Sequence, residues 1–162
     1  MSNVRSHCTT SMSPQLVEYD ASFLERLLRL WREAFEFGVG VTDPHPLAEQ
    51  REYFLSQILP QHRVTLAVRE SQLLGFIAAS ETSVAQLHVQ VGLHRQGIGS
   101  ALLALSKSRS RGSLWLYAFT QNVRACRFYE KHGFVEVERG FETNWGLEDV
   151  KYRWVAQRVG ET

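Results

Sequence analysis

Two cysteines in 162 residues are too few for a disulfide framework, and positions 8 and 126 lack the close spacing of a metal-binding pair. Cys8 falls in a polar leading segment and reads as a tail residue. Cys126 falls in an apolar-striped stretch and reads as a small packing residue. Charge of one sign is also lacking: 18 basic residues face 17 acidic ones, for a formal net charge of +1. That balance gives no drive toward nucleic acid or an anionic membrane. No apolar run approaches the ~20 residues of a membrane-spanning helix. The first fifteen residues, MSNVRSHCTTSMSPQ, have no apolar core of the kind a secretory signal needs. These absences point to a cytoplasmic chain with no membrane and no nucleic-acid partner.

What is present is an ordinary globular composition, 44% hydrophobic and 22% charged. The length suits one domain with a real core, read here as residues 14–162 after a tail over 1–13. Pro14–Tyr19 reads as a short strand. Leu24, Leu27, Leu28, Trp31 and Phe35 then recur at helical spacing. Ser22 and Glu25 fit a capping box at its start, and Gly38 and Gly40 close it. A second helix is expected over Leu47–Leu59, with Phe54, Leu55, Ile58 and Leu59 inward and Pro60 as its stop.

The period then changes to two. Arg63–Ser71 and Gln72–Ser83 read as a hairpin turning near Glu70–Gln72, and Val84–Val91 as a third strand. Ile98, Ala101, Leu102 and Leu105 stripe a helix running to about Ser108. Ser113–Phe119, SLWLYAF, is continuously apolar, the pattern of a strand buried on both faces. Asn122–Gly133 is a further helix, and FVEVERGF and VKYRWVAQRV are two last strands around ETNWGLED. The strand–helix–strand unit from Val84 to Phe119 predicts a parallel pair with a right-handed crossover. The whole order predicts an α/β fold: a mixed central sheet of about seven strands with helices on both faces.

The segment Leu87–Arg109, LHVQVGLHRQGIGSALLALSKSR, runs from strand through a basic glycine turn into a helix. A dinucleotide fingerprint needs a third glycine, but Leu102 follows Gly97 and Gly99 where it should stand, and the next strand ends in YAFT with no acid for a ribose. A Walker loop needs G-K-[ST], which is absent. A bare helix N-terminus offering backbone N–H groups to an anion fits. Two glycines serving turn geometry alone also fit.

The segment Leu116–Val137, LYAFTQNVRACRFYEKHGFVEV, bears on that choice. Here the sequence resembles the GNAT superfamily of N-acetyltransferases. Leu87–Leu103 is similar to the family's strand, [Q/R]-x-x-G-x-[G/A] turn and helix. Leu114–Val137 is similar to its strand, asparagine and FYEKHGF helix, and the element order fits across nearly the whole chain beyond the tail. His94 departs from the pattern, standing where the family usually has Gln or Arg; Arg95 beside it can supply the charge. Val91 also departs, standing where many members have proline.

The resemblance implies a GNAT fold with a splayed parallel central strand pair, acetyl-CoA as co-substrate, no metal, and a primary amine as acceptor: a small molecule, an amino acid or a peptide N-terminus. It implies direct attack through a tetrahedral intermediate. The turn His94, Arg95, Gln96, Gly97, Ile98, Gly99 and Ser100 would meet the pyrophosphate. Val89 and Val91 would pair with the pantetheine amides, with the Val89 N–H also at the oxyanion. Asn122 would bond the arm from the other side, or cap its helix, or both. Tyr129 matches the family's general acid, since a tyrosine can protonate a leaving thiolate; packing beside Phe128 is the plainer reading. His88 is a candidate base on the central strand, although such a histidine is more often structural. Glu33, Glu36 and His45, near the loop joining the first two helices, are candidates for the acceptor wall, as are the weaker Glu142 and Trp145. A non-catalytic acyl-CoA-binding module or sensor is the rival reading, and a homodimer stays open.

Overall fold

The computed structural model describes residues 13–158; Cys8 and the tail expected over 1–13 lie outside them but for the last residue. The elements are β1 (Gln15–Glu18), α1 (Leu24–Val39), α2 (Leu47–Tyr53), β2 (Arg63–Arg69), β3 (Gln72–Ala79), β4 (Val84–Val89), α3 (Ile98–Arg109), β5 (Ser113–Phe119), α4 (Val123–Lys131), β6 (Val135–Glu142) and β7 (Leu147–Val155). The strands form two antiparallel sheets, ordered β1-β2-β3-β4 and β5-β7-β6. The sheets touch through one parallel bridge, Ser83 opposite Trp115, backed by the Trp115 N–H donating to the Thr82 carbonyl at 3.0 Å. The expected continuous sheet is therefore two sheets joined at one point, and past it β4 and β5 part.

Two apolar clusters fill the two faces. Leu27, Leu28, Leu30 and Trp31 of α1, with Phe54 and Ile58, cover one face of β2–β4. Ile98, Leu102 and Leu103 of α3, with Tyr129 and Phe134, cover the other face and reach Leu114, Leu116 and Tyr152. Burial of large aliphatic side chains of this kind stabilises a fold by ~1.5–3 kcal/mol each.

Several local expectations change. The capping box at Ser22 and Glu25 does not form. Residues 21–23 make a 3-10 turn instead, and Asp20 caps it by accepting the Ser22 N–H at 2.8 Å; Glu25 binds Arg51. Gly38 lies inside α1, and Gly40, at φ +80°, ends it. The second helix widens into a π turn over Phe54–Ile58, which shifts the register and leaves Leu55 exposed. In α3 the buried stripe is Ile98, Leu102, Leu103 and Ser106, with Ala101 and Leu105 at its margin. In β5 only Leu114 and Leu116 are inward; Trp115 (40% exposed) and Tyr117 (55%) face out, because no helix covers that face of the strand. Lys151 lies over both rings.

Two backbone details position β4. A bulge places Val84 opposite Ala79 and Gln86 opposite Ala78, leaving Ala85 extra. Gly75 lets β3 approach closely: a Cβ there would sit 2.8 Å from the His88 carbonyl oxygen and 3.3 Å from the Val89 Cα. Gly75→Ala should therefore overpack the β3–β4 pair and cost about 1–3 kcal/mol, read as a lower midpoint in urea unfolding. An unchanged midpoint would mean that β4 shifts freely at this contact.

Candidate active site

Hydrogen-bond alternation fixes what β4 shows to the gap beside β5. The Gln90 N–H donates to the Leu74 carbonyl at 2.8 Å, which makes that register position a hydrogen-bonded pair. In an antiparallel ladder such pairs alternate with non-bonded ones. Val89 opposite Gly75 and Leu87 opposite Ile77 are then non-bonded, and their N–H and C=O groups point away from β3 toward the opening. Val91 falls outside the strand. It lies in a turn closed by the Leu93 N–H on the Gln90 carbonyl, with Gly92 at φ +92°.

The glycine loop follows. Gly97, at φ +79°, stands at the N-cap of α3 with no side-chain cap, and Arg95 also takes a positive φ of 66°. The first N–H satisfied in the helix is that of Ala101, on the Gly97 carbonyl. Among the described residues the N–H groups of Arg95, Gln96, Gly97, Ile98, Gly99 and Ser100 have no acceptor. An uncapped helix start with free N–H groups suits an anion by geometry and dipole. Gly99 packs it against its neighbours: a Cβ there would touch Phe128 at 3.4 Å and Val89 Cγ2 at 3.5 Å. The Ser100 hydroxyl, paired with His132 Nε2 at 3.1 Å, ties α3 to the end of α4.

Asn122 caps α4, its Oδ1 accepting the Ala125 N–H at 3.2 Å. It also abuts α1, since a Cβ on Gly38 would come within 2.6 Å of its Nδ2. Tyr129, only 8% exposed, meets Phe128 and Phe134 edge-on at 5.4 and 5.7 Å. Its hydroxyl makes no hydrogen bond among the described residues. Burial, with Cys126 nearby, pushes it well above the ordinary tyrosine range.

His88 lies on the opposite face of β4. Its ring stacks on Trp31 at 6.1 Å and leans on Phe76 at 5.6 Å, and its Nε2 meets Gln86 Oε1 at 2.8 Å. Burial lowers its pKa to about 4. Beyond it the loop after α1 is tied together: Asp43 receives His45 Nδ1–H at 2.8 Å, and the Asp43 N–H donates to Glu36 Oε1 at 2.8 Å. His45 lies 5.1 Å from Trp145, Trp145 lies 4.9 Å from Phe35, and Phe35 lies 6.0 Å from Phe119 at the end of β5. Glu142 holds the Trp145 N–H at 2.7 Å. Glu36, His45, Glu142 and Trp145 thus form one wall, while Glu33 stays exposed outside it.

A family profile described as the acetyltransferase (GNAT) domain matches residues 60–136, which span β2 through the start of β6 and include the glycine loop and Asn122–Tyr129. Over those residues the chain is similar to the GNAT acetyltransferase domain. Solved structures share the GNAT fold. Apo YjaB from Escherichia coli is 21% identical with a TM-score of 0.74, covering 90% of this chain and 100% of that one. The PaiA N-acetyltransferase from Thermoplasma acidophilum, solved with coenzyme A, is 20% identical at 0.71, covering 89% and 99%. YncA from Salmonella typhimurium, solved with acetyl-CoA, is 10% identical at 0.68, covering 93% and 98%.

Within this GNAT frame, sequence reasoning missed Phe35, Asp43 and Gln86. Asp43 had a usable signal, a D-P-H turn in which an aspartate can bond its own backbone two residues on; it does so with the His45 N–H at 2.9 Å. Phe35 was read only as core, and nothing local marks Gln86. Among the described residues no group of three or more His, Cys, Asp or Glu could hold a metal, and no helix is long and apolar enough to cross a membrane.

The lowered pKa of His88 has a consequence for stability. In the unfolded chain the ring protonates near 6.5; in the fold it resists until about 4. Between these values the unfolded state binds more protons, so stability falls as pH drops through the window. The loss attributable to His88 should be roughly 1–3 kcal/mol. Urea titrations from pH 4 to 7 should show a shallower pH dependence in His88→Gln than in the parent; equal slopes would remove the effect from His88.

Proposed function

We propose that this protein transfers the acetyl group of acetyl-CoA to a primary amine carried by a small molecule, an amino acid or a peptide N-terminus, and that residues 14–162 act as one domain. The observation that carries the reading is the set of unpaired backbone groups around the gap between β4 and β5. Free N–H groups from Arg95 to Ser100 suit a pyrophosphate, and the outward N–H and C=O of Val89 suit the amides of a pantetheine arm. The PaiA and YncA structures, solved with coenzyme A and acetyl-CoA, support the same donor.

The acceptor nitrogen attacks the thioester carbonyl; the C–N bond forms to give a tetrahedral intermediate, and the C–S bond breaks as that intermediate collapses. The Val89 N–H serves the developing oxyanion. Tyr129 gives its proton to the departing thiolate; the transfer is uphill, since burial raises the phenol further above the thiol's pKa near 8.5, and it is completed when the phenolate takes up the proton released by the acceptor nitrogen. His88 is neutral at pH 7, but with a pKa of about 4 it is a weak base toward an ammonium near 10.4. A water chain past His88 and the Asp43–His45 pair suits that proton better. The wall of Glu36, His45, Trp145 and Phe35 is the acceptor's side of the gap.

The core-like packing of Tyr129 favours one other reading, a module that binds acyl-CoA without turning it over. Tyr129→Phe separates the two in an acceptor screen that follows thiol release. For the enzyme, kcat should fall ~10²–10⁴-fold with little change in KM for acetyl-CoA. The parent rate should also show no descending limb up to pH 10, because burial holds the hydroxyl protonated there. Full activity in the variant would make Tyr129 a packing residue, and no turnover by the parent with any amine would favour the module.

The donor site has its own check. Gly97→Glu puts a Cβ at a positive φ and a carboxylate at the anion site. Calorimetry should then show CoA binding lost, with the fold retained and the melting temperature lowered by several degrees from the strain. Unchanged affinity would remove the loop from the donor site.

A further inference from the structure

We infer that Phe37, His94 and Arg124 form a strap beside the donor site and that Arg124 binds the phosphates of CoA, an inference that rests on the acetyl-CoA reading above. Phe37, in the last turn of α1, is 53% exposed, an unusual place to leave a phenyl ring. It lies nearly parallel to the His94 ring, with centroids 6.1 Å apart and 15° between planes. The Arg124 guanidinium carbon lies 5.0 Å from the Phe37 centroid. The stack joins three elements: the glycine loop, the end of α1 and the first turn of α4.

A guanidinium stacked over a ring keeps its N–H donors in its own plane, pointing outward, free and preorganised. Arg124 uses none of them: among the described residues it makes no ion pair and no hydrogen bond. Arg51, Arg63, Arg111 and Arg139, by contrast, are each held by a carboxylate. His94 opens the loop whose N–H groups from Arg95 onward are free, and its own Nε2 is buried with no partner. An unpaired cation, an orphaned ring nitrogen and a run of free N–H groups therefore lie together. A di-anionic pyrophosphate meets the cation and the run of free N–H groups at once, and a bidentate guanidinium contact is the strong form of that recognition. The strap also accounts for histidine at position 94, since a flat ring stacks on Phe37.

The test is calorimetry with two probes, CoA and phosphate-free pantetheine. Arg124→Gln should weaken CoA binding about 10- to 100-fold, flatten its salt dependence and leave pantetheine binding unchanged. Phe37→Leu should weaken CoA binding several-fold, and Phe37→Tyr should restore it. Arg111→Gln, which removes the same charge from a residue paired with Glu81, should bind CoA as the parent does. Arg124→Gln with parental affinity and salt dependence overturns the strap alone. Equal loss of CoA and pantetheine binding also overturns it, marking Arg124 as a packing residue. A parent protein that binds no CoA overturns both the strap and the donor reading.

Discussion

The single parallel contact between Ser83 and Trp115 is the constraint on which the rest depends. Two twisted sheets held at one end must diverge toward the other. The bulge at Ala85 adds local twist at the point of departure. Past it, Leu87 and Val89 present backbone groups that no neighbouring strand satisfies. Such groups are costly when sealed from water without partners, so the fold keeps the opening accessible and leaves it suited to a ligand with amides of its own. The glycine loop begins where that strand ends, so the free N–H groups of the loop and the outward edge of β4 are consecutive in the chain.

The chemistry around the opening is divided by the alternation of β4. Val89 packs toward α3 and α4, and His88 toward Trp31 and Phe76. Tyr129 therefore shares a face with the glycine loop, and His88 shares one with α1. Burial acts on both groups in the direction of neutrality: it raises the phenol's pKa and lowers the imidazole's. Neither face carries a buried charge from these residues at neutral pH, which avoids the desolvation cost an ionised group would meet there.

Elements with a strong period were legible in the sequence, because their spacing is set by the face they bury. The helix stripe of Leu27, Leu28 and Trp31, the hairpin at Glu70–Ser71 and the loop from His94 to Ser100 are of this kind. Legibility failed where a long-range contact decided the outcome. Trp115 and Tyr117 are as apolar as core residues, yet they face out because no helix covers them. Leu55 fits an inward stripe until the π turn rotates it away. The link from His45 through Trp145 to Phe35 joins residues about a hundred positions apart in the chain, and no local pattern announces it. Of the resemblance-based residues, the loop keeps free N–H groups at a helix start and Asn122 caps α4, whereas Val91 falls past the strand's end.

Helix α1 touches both halves of the molecule. Trp31 rests on His88, Phe35 on Phe119 and Trp145, and Gly38 against Asn122. One rigid rod thus borders the loop side and the wall side at once. A tilt that suits one guest alters the fit for the other, and the linkage works equally in both directions. Under the proposed donor and acceptor reading, any coupling between the two guests, positive or negative, runs through a single helix rather than through either pocket.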